Sequence, residues 1–210
     1  MKTIDQKLNE GRSYRNLASF GVAEERKMVE GYATTFNDPY TLFRDGQYTV
    51  IEQVDPHAFD ETDMSDVIMQ YDHEGRVFAR TSNGTLALRT DEHGLHIEAD
   101  LNGTEIGRQL LEEIEGGYTT KMSFGFRVDE DKRETTEENG EVTILRTITR
   151  ISKLYDVSAV SLPANDATNI SARSYCDGVV AEVKEEFRLR EEREEQKARI
   201  RRMLEEYPNE

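Results

Sequence analysis

From Val29 onward the apolar positions fall into short runs rich in β-branched and aromatic residues, separated by clusters that favour turns. Gly31-Tyr32-Ala33-Thr34-Thr35-Phe36 and Tyr48-Thr49-Val50-Ile51 read as strands, bounded by Asn37-Asp38-Pro39 and Asp45-Gly46. Val67-Ile68-Met69-Gln70-Tyr71 is a further strand that runs into a bend at Asp72-His73-Glu74-Gly75. Residues 85–88 follow the Asn83-Gly84 turn and residues 95–99 follow Glu92-His93-Gly94, which predicts a hairpin or meander. Residues 104–114 open with a threonine suited to cap a helix, repeat apolar residues at helical spacing and stop at Gly116-Gly117. That helix leads into the strand Met122-Ser123-Phe124-Gly125-Phe126, and residues 141–150 and 154–162 read as two more strands, the second closed by Pro163.

The ends have a different texture. Residues 1 to about 25 are polar without apolar period and read as a mobile arm or an edge strand. Residues 179–206 are rich in Glu and Arg, contain neither Gly nor Pro, and predict a charged, mostly exposed helix whose few apolar residues sit towards its ends. The expected organisation is an N-terminal arm over 1–25, one domain over 26–177 and a helical tail over 178–210, since 210 residues suffice for one sizeable core. The fold class expected is α+β: a mostly antiparallel, barrel-like sheet with flanking helices.

A formal net charge of -16 argues against a general nucleic-acid binder, which needs a basic footprint. Cys176 is the only cysteine, so no intramolecular disulfide can form. No run approaches the length of a membrane span and the first residues lack the apolar stretch of a secretion signal, so a protein that is neither membrane-bound nor exported is expected. No Walker loop, GxGxxG, GxSxG or CxxC is present, and no cofactor is expected. His93 and His96 lie near Asp91 and Glu92, but without a cysteine cluster, an HExxH or a second histidine pair they do not make a metal site.

Three residues carry the candidate chemistry. A serine hydroxyl becomes nucleophilic when an imidazole takes its proton and a carboxylate orients that imidazole. Strand alternation puts Met122, Phe124 and Phe126 on one face and Ser123 and Gly125 on the other, where the missing side chain of Gly125 leaves room for a substrate backbone or an imidazole. His73 sits at a strand-to-turn junction, and Asp156 lies mid-strand, where a buried charge needs a partner. By periodicity alone each has a plainer reading: a serine on a wet strand face, a turn histidine, an aspartate facing water. The chain order His, Ser, acid differs from those of the chymotrypsin, subtilisin and α/β-hydrolase templates.

Residues 28–172 resemble the prohead serine proteases of tailed bacteriophages, maturational proteases related to herpesvirus assemblin. The resemblance rests on five stretches in order: Glu30-Gly31-Tyr32-Ala33 through Asp55-Pro56-His57-Ala58-Phe59; Tyr71-Asp72-His73 with residues 79–86; Asp91-Glu92-His93-Gly94-Leu95; Met122-Ser123-Phe124-Gly125-Phe126; and residues 156–165. It implies a herpesvirus-protease-like fold with Ser123 as nucleophile, His73 as general base and Asp156, where Glu is more usual, as the third member. Pro163, Ala164 and Asn165 are the implied oxyanion turn, with Arg80 as a supporting candidate. The implied role is an endopeptidase that cleaves the scaffold, or the scaffolding part of the major capsid protein, inside the assembling prohead in the host cytoplasm, and also cleaves itself. A homo-oligomer is compatible with this role, and the charged tail then reads as a packaging or tethering element. The competing reading is a non-catalytic assembly or scaffolding protein of the same fold.

Overall fold

The structure is a computed structural model that describes residues 11–23, 28–161 and 170–206. The elements are β1 (Ser13–Ala23), β2 (Met28–Thr35), β3 (Tyr40–Asp45), β4 (Tyr48–Val54), β5 (Ile68–Tyr71), β6 (Glu74–Arg80), β7 (Leu86–Thr90), β8 (Gly94–Ala99), α1 (Glu105–Glu115), β9 (Lys121–Glu138), β10 (Glu141–Val160) and α2 (Ile170–Glu206). The chain divides into two compact units, Met1–Ala172 with the sheet and α1, and Arg173–Glu210 with nearly all of α2. None of the helices among the described residues is long and apolar enough to cross a membrane.

The expected α+β class holds, and the sheet is mostly antiparallel. Its ten strands follow the order β3-β4-β10-β9-β1-β2-β8-β7, with β5 on β10 and β6 on β5. Two parallel strand pairings belong to β10, which takes β4 along residues 142–148 and β5 along residues 156–159, with a single parallel bridge from Lys153 to Asp63 between them. That division corrects the barrel-like expectation. One edge of β10 is shared by two different strands, so the sheet forks there, and β3 and β7 end it without pairing to each other among the described residues.

Two further readings change. The span read as an arm or an edge strand contains β1, which pairs with β2 on one side and β9 on the other and is therefore internal. Its polar character misleads because Arg15, only 4% exposed, is neutralised inside the fold by Glu52. The two strands expected over 141–162 are one continuous β10, whose pairing with β9 shifts register at several points between Ile148 and Asp156. Bulges of this kind interrupt the alternation that defines a strand in sequence. The hairpin turn between β9 and β10 is Asn139-Gly140, both at positive φ as a two-residue loop of this kind requires.

The core lies on one face of the sheet. Met122, Phe124 and Phe126 of β9, Ile148, Ile151, Leu154 and Val157 of β10, and Leu110, Leu111 and Ile114 of α1 belong to one buried cluster. Phe124 and Phe126 stack at 4.4 Å, and Phe59 packs on Phe124. The helix α1 begins as expected, with the Thr104 hydroxyl accepting from the Gly107 backbone N–H at 3.0 Å, a cap that contributes about 1 kcal/mol.

Candidate active site

The serine strand is buried on both faces. Residues 122–126 all lie inside, and Ser123 is 0% exposed, so the wet-face reading of Ser123 does not hold. Neighbouring strands cover it in two rows set by the register. Asn16 of β1 and Ser158 of β10 stand on either side of Ser123, and Tyr14 and Asp156 stand on either side of Gly125. Residues opposite one another share a face, so Tyr14 and Asp156 converge over residue 125.

Glycine at 125 makes that convergence possible. A Cβ there would come within 2.5 Å of both Asp156 Oδ2 and Tyr14 Cε1, far inside van der Waals contact. The space left by Gly125 is thus filled by the aspartate and the tyrosine, which replaces the expectation of a gap for a substrate backbone.

The histidine arrives from a different element. Tyr71 of β5 pairs with Glu74 of β6, leaving Asp72 and His73 as the two central residues of a tight hairpin, with φ of 46° and 59°. Two successive positive φ values match the right-handed twist of the flanking strands, and Asp and His are among the non-glycine residues that tolerate them. The turn is tied to the end of β10. Asp72 N–H donates to the Ala159 carbonyl at 2.9 Å, and the Asp72 carboxylate accepts from the Ser161 N–H at 3.0 Å and the Ser161 hydroxyl at 2.9 Å.

These constraints bring His73, Ser123 and Asp156 together. His73 Nδ1 lies 2.5 Å from Asp156 Oδ1 and His73 Nε2 lies 2.6 Å from Ser123 Oγ. With Nδ1–H donating to the carboxylate, Nε2 is left to accept the serine proton. All three are buried, so the mid-strand aspartate is paired and does not face water. Its reach suffices for the imidazole although Glu is one methylene longer. Ser158, two residues on and on the same face, donates its hydroxyl to Asp156 Oδ1 at 3.0 Å. Tyr14 packs its ring 4.3 Å from the imidazole, and its phenol is held well above the usual range, first by burial and then by the Asp156 charge.

A cavity of about 630 Å³ opens beside the histidine turn, between Tyr71, Glu74 and Phe78 of the hairpin and Ile106, Leu110 and Glu113 of α1.

Arg80 ends β6 at the far end of the hairpin from His73, opposite Ile68, and its guanidinium is engaged by both Asp66 oxygens at 2.6 and 2.5 Å. Pro163, Ala164 and Asn165 lie outside the described residues. His57 bonds Asp60 in an exposed turn, and His93 and His96 each meet the Tyr32 ring edge-on. Sequence reasoning missed Ser158 and Tyr14. The first was accessible, because residues two apart on a strand share a face with Asp156. The second was not, because nothing local to residue 14 says which strand it pairs with.

A family model described as Caudovirus prohead serine protease matches residues 16–179. No curated protein and no solved structure matches the chain.

Proposed function

Since the chain belongs to the caudovirus prohead serine protease family, whose members act on capsid or scaffold proteins in the assembling phage head, we propose that it cleaves the scaffold, or the scaffolding part of the major capsid protein, inside the prohead and also cleaves itself. Ser123 is the nucleophile, His73 the general base and Asp156 the residue that orients His73. The observation that carries this reading is the unbroken chain Ser123 Oγ, His73 Nε2, His73 Nδ1, Asp156 Oδ1, with links of 2.6 and 2.5 Å.

The reaction is acyl transfer. Ser123 Oγ attacks the scissile carbonyl carbon as His73 Nε2 takes its proton, and the imidazolium is stabilised by the Asp156 carboxylate. Collapse of the tetrahedral intermediate breaks the C–N bond while His73 returns the proton to the leaving amine. Water, deprotonated by the same imidazole, then releases the acyl group and regenerates the serine. The cavity is lined by Asp72 and Glu74, which flank His73, and not by the three residues themselves, so its place in the reading is as room for substrate side chains beside the histidine turn.

Ser123→Ala tests the assignment. Co-expressed with scaffold and capsid protein, the variant should fold as the parent does and leave both substrates and its own chain unprocessed, a loss of about 10⁶ in kcat by analogy with other serine nucleophiles. Continued processing by the variant would overturn Ser123 as the nucleophile, and a parent that leaves both substrates and its own chain intact would favour a non-catalytic assembly role.

A further inference from the structure

We propose that Tyr14, on the N-terminal strand and outside the stretch that matches the family, is a positioning residue of the catalytic triad: its ring keeps the His73–Asp156 pair dry, and Gly125 exists to let it do so. The inference rests on the triad reading above.

Three observations meet at this point. Tyr14 is 4% exposed and its ring lies 4.3 Å from the imidazole at an interplanar angle of 58°, so one side of His73 is covered by aromatic surface. Asp156 Oδ2, unlike Oδ1, is buried with no hydrogen-bond partner among the described residues. That oxygen and Tyr14 Cε1 both lie 2.5 Å from the same point, where residue 125 would carry a Cβ. The carboxylate oxygen without a donor and the edge of the ring therefore border the same space above residue 125.

The physical consequence concerns competition. A carboxylate with one unsatisfied oxygen gains by hydration, and a water admitted there would draw Asp156 away from Nδ1 and screen its charge from the imidazolium formed during attack. In a dry, weakly polarisable site the same pair interacts several times more strongly than in water. The Tyr14 ring supplies the dry wall on this side, leaving His73 and Ser158 as the donors to Asp156. Any side chain at position 125 would push the ring or the carboxylate out of place. The role belongs to the ring and not to the hydroxyl, because it is the ring that touches the imidazole and the space over residue 125.

The test uses the full chain and a fluorophosphonate probe, whose rate of reaction with Ser123 reads the activated serine without requiring the cleavage sequence. Tyr14→Phe should be labelled within about twofold of the parent rate, whereas Tyr14→Ala should be slower by about 10- to 100-fold, the loss expected when catalytic groups are displaced by a fraction of an ångström to one ångström. The far-downfield Nδ1–H proton resonance of His73 should persist in the parent and in Tyr14→Phe and broaden by water exchange in Tyr14→Ala. If Tyr14→Ala does not fold cooperatively, Gly125→Ala takes its place and should show the same two losses. Parent-like labelling and resonance in a folded Tyr14→Ala or Gly125→Ala would overturn the inference, as would a Tyr14→Phe variant as slow as Tyr14→Ala. A parent that fails to react at Ser123 while retaining the His73 resonance would count against the protease reading and leave the positioning role to be judged by the resonance alone.

Discussion

Asp156 and Glu52 are both shut off from water in the same sheet, at 1% and 0% exposure, and they are held in opposite ways. Glu52 faces fixed cations. Arg15 bonds both of its oxygens, one of them at 3.0 Å, Arg146 donates to Oε2 at 2.7 Å, and the Tyr40 hydroxyl donates to Oε1. The register accounts for the cluster, since Arg146 of β10 and Tyr40 of β3 stand directly opposite Glu52 on either side of β4. Among the described residues no arginine or lysine bonds Asp156. It is met by an imidazole and a serine hydroxyl. The two sites are joined through β1, where consecutive side chains leave on opposite faces: Tyr14 goes to His73 and Arg15 to Glu52. A buried carboxylate gripped by guanidinium groups stays charged and serves as a strut, whereas one gripped by an imidazole can stabilise a positive charge that comes and goes.

Asp156→Asn should separate the two carboxylates most widely. An asparagine at this position no longer selects the tautomer in which Nε2 accepts, so fluorophosphonate labelling of Ser123 and turnover of scaffold should fall by about 10⁴, equivalent to about 5.5 kcal/mol in the barrier. The variant should nonetheless melt close to the parent, because the amide retains an acceptor for Ser158. A labelling rate within tenfold of the parent would show that Asp156 does not orient His73.

Glu52→Gln should do the reverse. Removing the charge leaves Arg15 and Arg146 buried against a neutral amide, and breaking a buried ion pair in this way costs about 3–5 kcal/mol of stability. Molecules that remain folded should label at close to the parent rate. The pH dependence follows from the direction of the shift. Burial pushes the Glu52 carboxyl up, but Arg15 and Arg146 together with the Tyr40 hydrogen bond outweigh it and hold the group below its ordinary value of 4.5. The unfolded chain therefore takes up the proton first as pH falls. The stabilisation is complete above about pH 4.5 and is lost as pH drops through the lower folded value. In denaturant melts the gap between parent and variant should be widest near neutrality and narrow in acid; a gap that widened below pH 4 would sink this account.

The same contrast explains what could be read along the chain. The β7–β8 hairpin and α1 were legible because their signals are local: the Glu92-His93-Gly94 turn, a threonine cap and helical spacing each act within a few residues. The β1 strand was not, since its polar Arg15 is reconciled with burial only by Glu52, 37 residues away. Alternation correctly put Ser123 and Gly125 on the face opposite the aromatics. It said nothing about what covers that face, because the cover is a hairpin turn and a tyrosine contributed by other strands. The three residues proposed as the triad were singled out by residue type and by the family resemblance, while their meeting depends on the Asp72 tie to the end of β10 and on the absence of a side chain at 125. Barrel closure was overestimated for a related reason: the fork at β10 depends on two parallel partners that no local pattern announces.

The outermost donor at each carboxylate should matter least, and the two donors can be removed by chemically similar changes. Ser158→Ala and Tyr40→Phe each delete one hydroxyl that donates to a buried carboxylate, at Asp156 Oδ1 and at Glu52 Oε1. A hydrogen bond to a charged group contributes about 1.5–3 kcal/mol. At Glu52 two arginines remain after the loss, so Tyr40→Phe should lower stability by an amount at the low end of that range and leave Ser123 labelling unchanged. At Asp156 only His73 remains among the donors described, so the carboxylate gains freedom to rotate away from Nδ1, and Ser158→Ala should slow labelling by about 10-fold with a smaller change in melting temperature. If both variants lost stability equally and neither changed the labelling rate, Ser158 would be no more than a second strut, and the distinction between a carboxylate that holds the fold and one that works in the reaction would rest on the imidazole alone.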